Sequence, residues 1–67
     1  MDVTVNGEVV DVAEGDTVAD VVHRFVRGGG AGTAVALAEE VVPAGRWDTT
    51  TVAAGDRLEI LQAVAGG

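Results

Sequence analysis

The residue types that this chain lacks exclude most enzyme mechanisms. Cysteine, serine, lysine and tyrosine are absent from its 67 residues, and there is one histidine. Without cysteine the chain has no disulfide, no thiolate metal site and no thiol redox pair. Most nucleophilic and Schiff-base mechanisms lose their central atom in the same way, and no threonine neighbours a convincing base. The sequence therefore predicts a protein that is not an enzyme by itself.

Apolar runs that could target or span a membrane are also missing. The first residues, Met1-Asp2-Val3-Thr4, contain no basic segment followed by an apolar stretch, so they do not resemble a signal peptide. No stretch approaches the roughly 20 apolar residues of a membrane-spanning helix. We expect the whole chain to be the mature protein, and we expect it in the cytoplasm.

Positive charge is scarce. Four arginines stand against eleven acidic residues, which gives a formal net charge of −7. Such a surface repels phosphate backbones and anionic lipids, so nucleic acid and membranes are not expected as partners. A protein with a basic docking face would be attracted instead. The charge does not indicate disorder, because 48% of the residues are apolar and they are patterned.

Local patterns predict a hairpin followed by a helix. Asn6-Gly7 between two alternating runs is typical of a type I′ turn, with strands at about residues 2–6 and 8–12. Thr17 opens a helix and, with Asp20 three residues later, resembles a capping box. The glycines at 28–30 are expected to end the helix. Its apolar stripe has helical spacing and comprises Val18, Val21, Val22, Phe25 and Val26.

The remaining apolar runs complete a sheet. They predict strands at residues 33–38, 41–42 and 57–64, with Pro43 ending the second and Leu58 and Ile60 sharing one face of the third. So short a helix needs a sheet face to cover, which indicates an α+β fold: one helix on a mixed four- or five-stranded sheet, the ubiquitin-like β-grasp. Its first and last strands would lie centrally and parallel. Residues 1–64 would form the domain and residues 65–67 a flexible tail.

Several other residues allow a functional and a structural interpretation. The glycine-rich segment 28–32 follows a helix, whereas phosphate-binding loops precede one, so we interpret it as a connector. His23 is interpreted as a solvated helix residue, and Glu39 and Glu40 as a solvated turn rather than a cation site. Trp47 either anchors a loop on the core, which we favour, or offers a contact surface.

Several segments recur in a recognisable order and spacing: Asn6-Gly7-Glu8, Thr17-Val18-Ala19-Asp20, residues 35–43, Trp47, residues 55–60 and Ala63-Val64-Ala65-Gly66-Gly67. Together they resemble the ThiS family, sulfur carriers of thiamine (thiazole) biosynthesis. The chain departs from the family pattern in two places: Ala38 stands where Asn is common, and Ala44-Gly45 replaces the usual residues after the proline.

The resemblance implies a cycle that other proteins run. A ThiF-like adenylyltransferase would join the Gly67 carboxylate to AMP, using ATP and magnesium. A sulfur donor protein would then displace AMP and leave a thiocarboxylate (1-thioglycine), and thiazole synthase (ThiG) would take the sulfur. Gly66 and Ala65 would let the end enter a narrow channel. No metal or cofactor would be bound by the chain itself. The candidate docking residues are Leu61, Ala63, Val64 and Trp47.

Two alternatives remain open. A carrier for molybdopterin or another sulfur pathway could also end in Gly-Gly. In a non-catalytic β-grasp interaction module, the two terminal glycines would be incidental.

Overall fold

One helix covers one face of a sheet in which the last strand lies at the centre. The computed structural model describes residues 1–26 and 32–63. Within these ranges five strands form a single mixed sheet in the order β2-β1-β5-β3-β4. The elements are β1 (Asp2–Val5), β2 (Glu8–Asp11), α1 (Val18–Phe25), β3 (Thr33–Leu37), β4 (Glu40–Val42), a 3₁₀ turn (Ala44–Arg46) and β5 (Arg57–Gln62).

The centre of the sheet follows the predicted topology. Strand β1 pairs in parallel with β5, whereas β1–β2, β3–β4 and β3–β5 are antiparallel. A parallel pair needs a crossover, and the helix lies between the two strands in sequence. The prediction of a β-grasp with central, parallel first and last strands is confirmed.

The first hairpin turns where the sequence indicates. Asn6 has φ 51° and Gly7 has φ 85°, and a type I′ turn requires positive φ at both central residues. The strands end at Val5 and Asp11, one residue earlier than predicted.

The helix begins with the expected capping box. The Asp20 N–H donates to the Thr17 hydroxyl at 3.2 Å, and the Thr17 N–H donates to Asp20 Oδ2 at 2.9 Å. This backbone hydrogen bond, together with one from the Thr17 hydroxyl, lowers the pKa of the Asp20 carboxyl below its ordinary value. The capping box thereby satisfies the Thr17 and Asp20 N–H groups, two donors that have no partner within the helix.

The other end of the helix differs from the prediction. Helical structure stops at Phe25, and Val26 is already extended at φ −121°. Val26 is 6% exposed but Phe25 is 44% exposed, so the predicted burial of Phe25 with the apolar stripe is wrong. The helical wheel assumed that the helix continues, whereas the change of backbone direction brings Val26 into the core instead. The glycines at 28–30 lie outside the described residues.

The core lies between the helix and the inner face of the sheet. It is built mainly of valine, a residue with a stiff side chain that packs well on a pleated surface. Its buried members are Val3, Val5, Val12, Val18, Ala19, Val21, Val22, Val26, Val35, Trp47, Val52, Leu58 and Ile60.

Trp47 fixes the irregular segment between β4 and β5 to this core. Its side chain is 8% exposed, and its indole N–H donates to the Val42 carbonyl at 2.8 Å. The Ala19 N–H donates to the Trp47 carbonyl at 3.0 Å, which ties the same segment to the helix. The structure therefore places Trp47 as a loop anchor, the interpretation that the sequence favoured.

The turn between β3 and β4 is strained. Ala38 has φ 50° and Glu39 has φ 70°, and a Cβ in this left-handed region costs about 1–2 kcal/mol. Asn tolerates the region better than Ala, and Gly has no Cβ to clash. Ala38 is also one of the positions at which the sequence departs from the family pattern that it resembles.

We expect Ala38→Asn and Ala38→Gly each to raise the free energy of unfolding by about 0.5–1 kcal/mol. In a domain of this size that is an increase in Tm of several degrees, measurable by thermal and urea unfolding. Ala44→Gly is the matched control. Ala44 is exposed and does not have positive φ, so the same change there should lower stability. A lower Tm for Ala38→Asn would contradict the strain argument.

Candidate functional site

Strand β5 carries the chain toward its C-terminal residues and is held from both sides. It pairs with β1 at Thr4↔Arg57 and Val5↔Leu58. On its other side it pairs with β3 over five residues, from Leu37↔Leu58 to Thr33↔Gln62. A strand bonded along both edges is among the most firmly held parts of a small domain.

The described part of this strand ends at Ala63. The Ala63 N–H donates to the Gly32 carbonyl at 2.8 Å, which extends the antiparallel pairing by one residue. Ala63 is exposed. The predicted residues Val64, Ala65, Gly66 and Gly67 lie outside the described residues, so the structure supplies the base from which they continue.

Side chains alternate between exposed and buried over residues 57–61 of β5. Leu58 (0% exposed) and Ile60 (8% exposed) face the core, which confirms that they share one face. Leu61 points the other way and is 69% exposed, although it is as apolar as Leu58. An exposed leucine in a central strand is a candidate contact residue.

Leu61 is part of a small apolar surface on the outer face of the sheet. Its cross-strand neighbour is Ala34, and on the next row of β3 Ala36 stands opposite Val41 of β4. Val41 is 75% exposed. We call these four residues (Ala34, Ala36, Val41 and Leu61) the outer-face patch.

Charged side chains border the patch. Glu59 stands opposite Ala36 in the β3–β5 ladder, and Arg57 lies two residues further back on the same face of β5. Arg57 Nη2 and Glu39 Oε2 are 3.7 Å apart, with both side chains largely exposed. Surface pairs of this kind contribute little to stability, so exchanging the Arg57–Glu39 contact for one with a partner would cost the fold little.

The structure separates the predicted docking residues into two groups. Leu61 and Ala63 lie at the exposed end of β5, whereas Trp47 is buried on the helix side of the sheet. The Trp47 side chain packs against the core and donates its indole N–H to the Val42 carbonyl, so it exposes little surface to a partner. The docking role considered for Trp47 therefore has no support from its position.

Sequence reasoning missed Ala34, Ala36 and Val41. The run at residues 33–38 is apolar at nearly every position, so alternation could not show which side faces outward. The register of β3 against β4 and β5 supplies that information. It comes from pairing between segments far apart in sequence.

Other candidates for chemistry remain unsupported. His23 is exposed on the helix, and residues 1–26 and 32–63 contain no cluster of three metal-ligating side chains. A groove of about 200 Å³ beside β4 is lined by Val41, Pro43, Arg46 and their neighbours, which is smaller than the roughly 300–1,000 Å³ of typical small-molecule sites. No helix in the described ranges is both long enough and apolar enough to cross a membrane.

A mixed five-stranded sheet packed by one helix, with the last strand at its centre, defines a ubiquitin-like β-grasp domain. The model of the ThiS family matches residues 3–67. The chain belongs to the ThiS family.

Solved structures agree with this assignment. The crystal structure of thiamine biosynthesis protein ThiS from Geobacter metallireducens has a TM-score of 0.81 and 33% identity, and the match covers 100% of both chains. A solution NMR structure of a thiamine biosynthesis protein from the same organism also has a TM-score of 0.81, with 35% identity over 100% of this chain and 88% of the other. No curated protein matches the chain.

Proposed function

We propose that this chain is a sulfur carrier of thiamine biosynthesis and that Gly67 carries the sulfur. The observation behind this proposal is the ThiS family match, which extends through residue 67 and so includes the terminal Gly66-Gly67. In the sequence these two residues come four and five positions after Gln62, the last residue of β5, which is the central strand of the sheet. A folded domain followed by two residues without side chains suits a carrier to which one protein attaches sulfur and from which another removes it.

The chemistry needs only a carboxylate from this chain. A carboxylate is a poor electrophile, so an adenylyltransferase of the ThiF type would first transfer AMP to Gly67 from ATP and magnesium, releasing pyrophosphate. Hydrosulfide (HS⁻) supplied by a donor protein would then attack the carbonyl carbon; the new C–S bond forms as the C–O bond to AMP breaks, and AMP leaves. The resulting thiocarboxylate is the softer nucleophile that thiazole synthase (ThiG) would consume. Since the chain lacks cysteine, serine and lysine, each catalytic step would belong to a partner.

The terminal residues suit entry into an enzyme active site. Glycine has no Cβ, so Gly66 and Gly67 can pass a narrow channel and adopt conformations closed to other residues. Ala65, the residue before them, adds only a methyl group. Ordering such a segment on docking carries an entropic cost, which favours a transient complex over a permanent one.

The outer-face patch and the net charge would recruit the adenylyltransferase. The patch includes Leu61, which lies on the same strand that leads to Gly67, so docking there would bring the C-terminus near a fixed point of the enzyme. A net charge of −7 would speed the encounter with a basic face at low salt. Ala63 and Val64 would extend this contact toward the active site. We place the whole cycle in the cytoplasm.

Intact mass spectrometry of the protein isolated from cells tests the proposal. Under sulfur-replete, thiamine-free growth, a fraction should carry the mass of a sulfur-for-oxygen exchange, and fragmentation should locate it at Gly67. Complete absence of that species would favour an interaction module without carrier function. To separate thiamine from molybdopterin pathways, the loaded carrier should be offered to thiazole synthase and to molybdopterin synthase. Transfer to the second alone would overturn the thiamine assignment.

We expect Leu61→Asp and Val41→Asp each to raise KM for the adenylyltransferase by about tenfold or more, the effect of losing a contact worth about 1.4 kcal/mol. The matched control is Val9→Asp, because Val9 is 70% exposed on the same sheet face. It lies two strands from β5, roughly 10 Å away. All three variants add one negative charge, so steady-state kinetics compare position alone. Equal effects at Val9 and Leu61 would refute the patch as the docking surface.

A further inference from the structure

The side chain of Asn6 makes two hydrogen bonds that its place in a turn does not require. The Ile60 N–H donates to Asn6 Oδ1 at 2.8 Å, and Asn6 Nδ2 donates to the Ile60 carbonyl at 3.1 Å. The two residues are 54 positions apart in the chain. In addition, the Asn6 N–H donates to the Leu58 carbonyl at 2.9 Å.

These bonds extend the parallel β1–β5 ladder after the main chain of β1 has left it. The backbone pairing covers Thr4↔Arg57 and Val5↔Leu58, and at Asn6 the chain turns toward β2 with φ 51°. A carboxamide carries a carbonyl and an N–H donor, the same pair as a peptide group. The Asn6 side chain therefore acts at Ile60 as the next peptide of β1 would have acted.

Ile60 depends on this substitute for a peptide group. It is 8% exposed, and its only backbone donor bonds to Asn6. Buried backbone groups are almost always paired, and leaving one unpaired is costly. On its other side, Ile60 stands opposite Val35 of β3. Asn6 therefore supplies the partner that Ile60 needs on the β1 side, two residues before β5 ends at Gln62.

We propose that Asn6 is a positioning residue for the carrier reaction, because it locks β5 at Ile60 and so fixes the base from which Leu61 and the C-terminal residues are presented. We call the two hydrogen bonds between the Asn6 side chain and Ile60 the clamp. The clamp is a property of the fold, whereas its role in presenting the C-terminal residues rests on the proposed function. Leu61 of the outer-face patch follows Ile60 directly, and Ala63, where the described chain ends, comes two residues later.

Asn6→Gly separates the two roles of this residue. Glycine adopts positive φ at no steric cost, so the hairpin turn is kept while both side-chain bonds are lost. Asn6→Asp keeps the shape but replaces the Nδ2 donor by a carboxylate oxygen, which faces the Ile60 carbonyl 3.1 Å away. Thr17→Ala is the control for a general loss of stability, because it removes helix-capping bonds in another part of the fold.

Amide hydrogen exchange of the carrier alone is the first measurement. We expect exchange at the Ile60 N–H to accelerate by about tenfold or more in Asn6→Gly, beyond the change at core amides such as that of Val22. The acceleration should be smaller in Asn6→Asp, which keeps the Oδ1 acceptor of the Ile60 N–H and loses the Nδ2 donor. Thr17→Ala should not single out Ile60. Acceleration of Ile60 only in proportion to the loss of global stability would overturn the clamp.

Loading kinetics with the adenylyltransferase are the second measurement, at a temperature at which every variant is fully folded. We expect KM to rise for Asn6→Gly and Asn6→Asp, with kcat changed less, and both constants to stay at wild-type values for Thr17→Ala. A selective loss of Ile60 protection with unchanged KM would overturn the positioning role. If the wild-type chain itself were not loaded, the proposed function would fail, and the exchange data would still decide whether Asn6 fixes β5.

Discussion

Removal of Gly67 is expected to abolish loading by the adenylyltransferase while leaving the fold intact. The new carboxylate would belong to Gly66 and would fall about 3.3–3.6 Å short of its place, the reach of one extended residue. Misplacement of a reacting group by about 1 Å can cost 10²-fold in rate. We therefore expect the adenylation rate to fall by at least that factor, to the detection limit of pyrophosphate exchange.

The stability of the truncated chain separates a lost site from a lost fold. The cross-strand hydrogen bonds of the described residues reach Ala63, four positions before the residue removed. The Tm of the truncated chain should thus equal that of the wild type. Gly67→Ala is the length-matched control: it keeps the carboxylate in place and adds one methyl group, so it should load slowly rather than not at all. A truncated chain that is adenylated at the normal rate would show that Gly67 is not the site.

The features that sequence predicted best are those encoded locally. Asn6-Gly7 specified its turn because only a few residues tolerate positive φ at both positions. Thr17 and Asp20 specified the start of the helix because both halves of a capping box lie within four residues. The central position of β5 followed from a topological rule, since a parallel partner for β1 had to come after the crossover helix.

The features that sequence could not predict arise from contacts across the chain. The bonds between Asn6 and Ile60 join residues 54 positions apart, and nothing near Asn6 distinguishes a clamp from an ordinary turn asparagine. Similarly, the outer-face patch depends on the register that places Leu61 opposite Ala34. Phe25 was misassigned because a helical wheel does not show where the helix ends. For the candidate site, then, the residue types were readable from sequence and their arrangement was not.

Leu58→Ala is expected to unfold much of the protein at 37 °C. Leu58 is fully buried (0% exposed) and stands between Val5 of β1 and Leu37 of β3, at the centre of the sheet. Truncating a buried leucine to alanine costs about 2–5 kcal/mol, because a cavity remains where the side chain was. At about 0.05–0.15 kcal/mol per residue, a chain of this size has a total stability of only about 3–10 kcal/mol. One substitution therefore removes a large part of it.

Leu61→Ala is the control that the same strand provides. The residue type and the substitution are identical and the position is three residues further along β5, but Leu61 is 69% exposed, so its stability should change by no more than about 0.5 kcal/mol. Urea unfolding of both variants should show a large fall in midpoint for Leu58→Ala and almost none for Leu61→Ala. Loading kinetics should show the reverse, with Leu61→Ala impaired and the folded fraction of Leu58→Ala near normal. A loss of stability at Leu58 alone and a loss of loading at Leu61 alone would show that one face of β5 serves folding and the other serves docking. Similar losses of stability at both positions would contradict the alternation of side chains on which the outer-face patch depends.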